Sequence, residues 1–371
     1  MQRLKTWVEI NKKAIAKNLK AIRSLLKPKT KLWSVVKSNA YGHGLTDFAK
    51  IADDLGVGGF CVDSVQEGLK LRKNGIKKPI LALGPTLPEL LKEASSGNIT
   101  ITISNLDSLK NFLKSKYKPD FHLKFDTGMH RQGFNLNEAS KLVKLLKSNK
   151  IAGQLTGIYT HFASAKDLNY PAYTDLQFSQ FEKAIKRLKN SGFNNLVRHA
   201  AATGGTLINQ KYHLDAVRVG IGLYGLWPSK ELAIQIKGLK LKPALSWHAL
   251  ISEVKNLKKG DYVGYDLAER VSMPSKIAIL PIGYWHGFPR GLSGIGEVLI
   301  NGNRAKILGR VSMDLIVANV TGIPCKPGDR ATIIGWQKNE EISAFETAQK
   351  LGTIHYELVT RINPLIERIV K

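Results

Sequence analysis

An alternation along the chain limits its fold more than any other feature. Eight short apolar runs, many of them β-branched, recur between residues 32 and 219: LWSVV at 32–36, GFCV at 59–62, PILAL at 79–83, ITI at 101–103, FHLKF at 121–125, QLTGIYT at 154–160, NLVRH at 195–199 and AVRV at 216–219. Most are separated by amphipathic helical stretches such as 64–74, 88–94 and 179–189. Parallel strands cannot be joined by tight turns and need long crossovers, usually helical. Eight such units predict an α/β fold, a (β/α)8 TIM-type barrel, with an open doubly wound sheet as the alternative. Before them, Trp7–Ile10 reads as a strand, and Asn11 is placed to cap a helix to about Leu26.

From about residue 239 the texture changes. Strand-like runs at 244–254, 276–282, 297–302 and 331–336 are punctuated by Gly, Pro and Asn, and helix signals nearly vanish until about Ser343. The expected organisation is therefore a barrel over 11–238 followed by a mainly β domain over 239–371, which also takes the opening strand within 1–10.

Composition narrows the function classes. With 43% hydrophobic residues in 371, the chain can bury a sizeable core and is not disordered. Lys and Arg exceed Asp and Glu by 56 to 29, a net charge of +27. Such a balance can mark nucleic-acid or anionic-membrane binding. Here the lysines alternate with apolar positions, as in KLVKLLKSNK at 141–150, which is the pattern of solvated helix faces. No nucleic-acid recognition motif accompanies them. Cys61 and Cys325 form no CxxC pair, so neither a disulfide framework nor a metal site is expected. No run approaches the roughly 20 apolar residues of a membrane span, and no secretory signal is recognisable, so a cytoplasmic location is expected.

A barrel places its chemistry where strands end, at the C-terminal face. Lys37 follows the first run, Arg131 lies in the loop after the fifth, His161 ends the sixth and His199 the seventh. Thr203 and Gly204 come just beyond it, and Arg218 lies in the eighth run, before Gly220 and Ile221. Barrels often bind phosphate in the loops after strands seven and eight, here Thr203, Gly204 and the backbone of Gly220 and Ile221. A lysine across the same mouth can attach an aldehyde covalently. Pyridoxal 5'-phosphate meets both conditions, although sugar-phosphate aldolases also combine a barrel, a lysine and a phosphate site.

Several motifs, in order, carry a family likeness. VVKSNAYGHG at 35–44, DTGMHRQGF at 126–134, YTHFASA at 159–165, RVGIGLYG at 218–225, VGYDLAE at 263–269, LPIGYWHG at 280–287 and LGRVSMD at 308–314 together resemble the alanine racemases. The resemblance spans essentially the whole chain and implies a barrel followed by a β domain. It implies that Lys37 holds pyridoxal 5'-phosphate and acts as a base on one face of the substrate Cα. Tyr265 of the partner subunit would be the base on the other face, which implies a homodimer with shared sites. Tyr41, Thr203, Gly220 and Ile221 would hold the phosphate. Arg218 would hydrogen-bond the pyridine nitrogen, with His199 and His161 behind it, and His161 would also assist the tyrosine. Arg131 and the backbone at Met313 would receive the substrate carboxylate. Lys124 matches a lysine carbamylated in some members, and Tyr284 and Asp314 would be supporting residues. The implied role is interconversion of L- and D-alanine, supplying D-alanine for peptidoglycan.

The chain departs from the family pattern in places. Ala202-Thr203 stands where Asn-Ser is common, Tyr284-Trp285-His286-Gly287 replaces Tyr-Ala-Asp-Gly, and Pro364 occupies a position that is tyrosine in several members. These changes leave serine or broad-spectrum racemisation as an alternative. A basic amino-acid decarboxylase of the same architecture lacks support, because its catalytic-cysteine signature is missing. A single-barrel cofactor carrier would lack the second domain.

Overall fold

A computed structural model describes residues 4–167 and 171–371; the first three residues of the stretch 1–10, assigned above to the second domain, lie outside it. The chain forms two compact units. One comprises Ala14–Ala40 and Leu45–Lys242, the other Met1–Lys13, Tyr41–Gly44 and Pro243–Lys371.

After strand β1 (Thr6–Ile10), the first unit contains eight parallel strands: β2 (Lys31–Val35), β3 (Gly59–Val62), β4 (Ile80–Ala82), β5 (Ile101–Ile103), β6 (Phe121–Lys124), β7 (Leu155–Tyr159), β8 (Val197–Ala202) and β9 (Ala216–Val219). Their lateral order is β4-β3-β2-β9-β8-β7-β6-β5. The remaining gap, between β4 and β5, is bridged by Thr100, whose N–H donates to Ile80 O at 2.9 Å and whose carbonyl accepts from Ala82 N at 2.9 Å. Closure excludes the open doubly wound alternative. Strands β3, β4, β5, β6 and β9 are buried at every position, as expected when helices cover the outside and side chains fill the inside.

The helices follow the sequence signals. Val65–Lys73 starts at Ser64, whose side chain accepts from Glu67 N, and ends at Asn74. The opening helix, Lys12–Arg23, stops before Leu26. The 88–94 stretch resolves into a 3-10 turn, Pro88–Leu90, and a helix, Leu91–Ser96. In the helix Ala139–Ser148, Ala139, Leu142 and Leu146 are buried, while Lys141, Lys144 and Lys147 face outward. The lysines of this helix are thus a solvated face.

The second unit is built on β10 (Leu245–Leu250), β11 (Glu253–Leu257), β12 (Tyr262–Val263), β13 (Glu269–Arg270), β14 (Ser275–Leu280), β15 (Glu297–Ile300), β16 (Asn303–Leu308), β17 (Ile316–Asn319), β18 (Arg330–Gln337), β19 (Glu340–Ile342) and β20 (Glu367–Val370). Its main sheet runs β11-β14-β17-β16-β15-β18-β10-β1-β20, with β19 paired to β18, so the N-terminal strand is integral to it. The β12–β13 ribbon stands apart, anchored by Val263 and Val271 in a cluster with Ile277 and Leu308.

Candidate active site

Within the barrel unit, Lys37, Arg131, His161 and Thr203 follow the C-terminal ends of their strands, Arg218 lies within β9, and His199 lies inside β8, which continues to Ala202, rather than at the strand end where the sequence put it. Arg218, on β9, is buried and carries most of the local order. Its Nη1 donates to His199 Nδ1 at 2.6 Å, and its Nη2 to Thr160 O at 2.8 Å, Ala200 O at 3.0 Å and His161 Nδ1 at 3.3 Å. Its Nε–H takes part in none of these bonds. The guanidinium carbon sits 5.0 Å from the centre of the Tyr159 ring.

Because guanidinium can only donate, His199 Nδ1 must be an acceptor, and its proton is on Nε2. That Nε2 lies 2.9 Å from His122 Nδ1, so His122 in turn holds its proton on Nε2. Burial first, then Arg218, hold His199 well below the usual imidazole range and bring His122 to about 3. Burial, followed by Arg218, Arg131, Lys124 and Lys37, depresses His161 in the same way. All three rings are neutral at physiological pH.

Lys124 closes β6. Burial, then Arg131, Arg218 and Lys37, lower it to about 8 against the opposing pull of Asp126. Its Nζ donates to Gln132 Oε1 at 2.9 Å. Arg131 itself is exposed, and its backbone N–H donates to Asp126 Oδ2 at 2.9 Å. The other Asp126 oxygen accepts from the N–H groups of Gly128, Met129 and His130. Burial raises the Asp126 carboxyl, but these backbone donors outweigh it and leave it below its ordinary value. The loop that presents Arg131 is thus wrapped around one carboxylate.

The chemistry of the phosphate-side donors fits the group expected from the sequence. Thr203 Oγ1 accepts from Gly220 N at 3.2 Å and Gly222 N at 3.4 Å. With both lone pairs engaged, only its proton remains to offer. Ile221 is 2% exposed, and its N–H donates to none of the described residues. A buried N–H without a partner is rare and points to a missing acceptor. Lys37 Nζ lies 3.6 Å from Asp63 Oδ1. An amine, a hydroxyl donor, an orphan N–H and a cation-rich strand end together fit a phosphorylated aldehyde.

Directly after Lys37, the residues Ser38, Asn39, Ala40 and Tyr41 have φ of 55, 55, 52 and 52°. A left-handed conformation costs L-residues about 1–2 kcal/mol each.

The remaining residues belong to the other unit. Tyr265 opens a 3-10 turn at the tip of the β12–β13 ribbon and is 68% exposed. Met313 and Tyr284 are exposed apolar side chains, and Asp314 is exposed. Their loops are laced together: Tyr284 N donates to Ser312 O at 3.0 Å and Trp285 N to Met313 O at 3.0 Å, while His286 Nδ1 lies 3.9 Å from Asp314 Oδ1. A Cβ on Gly283 would stand 2.2 Å from Ser312 O, so only glycine permits this approach. The Tyr41 ring packs 6.2 Å from Tyr356.

Sequence reasoning missed Asp63, Glu67, His122, Asp126 and Thr160. His122 and Lys124 occupy alternate positions of FHLK at 121–124, a period-2 polar signal inside a buried strand. Glu67, three residues after Ser64, gives only an ordinary helix-start signal.

Comparison with known proteins identifies the family. Residues 10–228 match the family model for the N-terminal domain of alanine racemase, and residues 244–370 the model for its C-terminal domain. The alanine racemase of Leptospira interrogans serogroup Icterohaemorrhagiae serovar Lai is 38% identical over 98% of this chain and 95% of its own. Alanine racemase 2 of Bacillus subtilis is 38% identical over 98% and 93%. The crystal structure of the Bacillus anthracis enzyme with bound L-Ala-P superposes with a TM-score of 0.93 at 36% identity, covering 100% of this chain and 96% of that one. With both domain models and full-length relatives matching in one order, the chain belongs to the alanine racemase family.

Proposed function

We propose that the protein interconverts L- and D-alanine by a two-base mechanism with pyridoxal 5'-phosphate. The observation that carries this is the barrel-end assembly in which Arg218 orders His161, His199 and, through His199, His122, with Lys37 close enough to act on His161. Lys37 would hold the cofactor through Nζ, Thr203 and the backbone of Gly220 and Ile221 its phosphate, with Tyr41, and Arg218 Nε the ring nitrogen. When bound, the cofactor supplies an electron sink that acidifies the substrate Cα–H. A donor-only guanidinium at the ring nitrogen keeps that sink weak, which favours simple proton exchange.

Lys37 moves the proton on one face of Cα, and Tyr265 of the partner subunit on the other. Inversion demands this pair, since one base returns the proton to the side it left. His161, with Nδ1 accepting from Arg218, presents an Nε2–H able to hold the tyrosine oxygen once it has given up its proton. Arg131 and the Met313 backbone would orient the substrate carboxylate, with Tyr284 and Asp314 in support. Lys124, partly neutral near pH 8, could add to carbon dioxide, losing a proton to become a carbamate that offsets Arg131. Tyr265, Leu267, Met313 and Leu315 are all exposed, which suits burial in a homodimer. We assign the role to supply of D-alanine for peptidoglycan in the cytoplasm; the free thiols of Cys61 and Cys325 suit a reducing compartment.

The test is solvent-deuterium exchange with each alanine enantiomer. Tyr265→Phe should exchange the Cα hydrogen of one enantiomer only and fail to racemise, and Lys37→Ala should do neither. Undiminished racemisation by either variant would remove the two-base reading.

A further inference from the structure

Four successive left-handed residues after β2 need something to hold them, because strain of this kind persists only where its surroundings over-determine it. Part of the restraint is local. Ala40 N donates to Val36 O at 2.8 Å, and Asn39 Oδ1 accepts from Leu45 N at 2.9 Å. The first residue of the turn is held from elsewhere in the barrel. Glu67, in the helix after β3, accepts from Ser38 N through Oε1 at 2.7 Å and from Asp63 N through Oε2 at 2.7 Å.

Glu67 stands at the third position of its helix. There a glutamate ordinarily returns to the N–H of the capping residue. The cap here is Ser64, which accepts from Glu67 N at 3.3 Å, yet the Glu67 carboxylate bypasses the Ser64 N–H. One oxygen takes the residue before the cap, and the other reaches the loop of the neighbouring strand. Both bonds are short and charge-assisted, the strong class of hydrogen bond. They converge on one place: Ser38 adjoins Lys37, and the Asp63 carboxylate lies 3.6 Å from Lys37 Nζ.

We propose that Glu67 is a positioning residue for Lys37: its two oxygens lock the left-handed turn and the Asp63 backbone, and so fix the direction of the lysine side chain. This rests on Lys37 being the residue that attaches the cofactor. Two N–H donors require two acceptors. Glutamine has one oxygen and would turn its NH2 toward the second N–H, and aspartate is one methylene short.

The experiment uses the full chain stripped of cofactor, as wild type, E67Q, E67D and S64A. Pyridoxal 5'-phosphate is added, the adduct is trapped with borohydride at successive times and pH values, and its position is found by mass spectrometry. Amide hydrogen exchange is followed across residues 36–44. E67Q should modify Lys37 about tenfold to a hundredfold more slowly, the range seen when a reacting group is slightly misplaced, and its 36–44 amides should exchange faster. S64A, which loses only the helix cap, should melt earlier but keep the wild-type trapping rate and exchange. Folded E67Q with wild-type trapping and exchange would overturn the proposal. Should E67Q not fold, E67D takes its place with the same two outcomes. Wild-type protein that forms no Lys37 adduct would instead refute the assignment of Lys37, while the exchange data still decide whether Glu67 holds the turn.

Discussion

Arg218 fixes the hydrogen positions of the residues around it. A buried guanidinium that cannot accept dictates the tautomers of His199 and His161, and through His199 that of His122. Lys124 bears the cost of so much positive charge at one strand end. Its fall from 10.5 to about 8 corresponds to roughly 3 kcal/mol of stability lost while both states are protonated. The unfolded chain binds more protons than the folded one between about pH 8 and 10.5, so stability rises with pH across that window. Lys124→Met should therefore raise the melting temperature at pH 7 in carbon-dioxide-free buffer, and the gain should shrink toward pH 10. In bicarbonate a carbamate would pair with Arg131, and the gain should shrink or reverse. Calorimetry in the two buffers checks both. Lys37, Arg131 and Arg218 were legible as residues of a strand-end site. Asp126 was not, because its role arises only when four backbone N–H groups fold back onto it.

At the scale of elements, β6 and β7 show how the barrel interior accommodates polar rings. A Cβ on Gly157 would stand 2.5 Å from His122 Cε1 and Nε2, so the glycine on β7 leaves room for the imidazole from β6. Gly157→Ala should cost about 1–3 kcal/mol through overpacking and, by displacing His122, weaken cofactor binding. A urea titration and a cofactor titration on the same protein would show whether the two losses travel together. Strand positions were readable because buried parallel strands form short, continuous β-branched runs between helical segments. The left-handed turn was not, since Ser38, Asn39 and Ala40 carry no glycine signal for positive φ. Part of what holds that conformation lies in another helix, at Glu67, which takes the Ser38 N–H.

For the whole molecule, the three neutral histidines, His122 and His199 buried and His161 half-buried, make acid the vulnerable side. Each has a folded pKa below its unfolded value near 6.5, so the unfolded state binds more protons as pH falls beneath that point. The contribution of His122 is complete above about pH 6.5 and is lost as pH falls toward about 3, and those of His199 and His161 are lost in the same direction. Each can steepen the loss by up to about 1.4 kcal/mol per pH unit. Urea midpoints between pH 7 and 4 should fall more steeply for wild type than for His122→Phe. The proposed sharing of sites between subunits makes a second prediction. Mixing inactive Lys37→Ala with inactive Tyr265→Phe should restore about a quarter of wild-type activity, since half the dimers would have one intact site of two. No recovery on subunit exchange would place each site within a single chain.

By itself the sequence determined the barrel, the β-rich second unit and the residues at the strand ends, because periodicity and turn chemistry are local and survive in the order of residues. The tertiary structure decided barrel closure through Thr100, the tautomers set by Arg218, the depressed Lys124 and the clamp of Glu67 on Ser38. Each of these depends on which donors and charges lie within a few ångströms of one another, and residues far apart in the chain acquire that proximity only by folding.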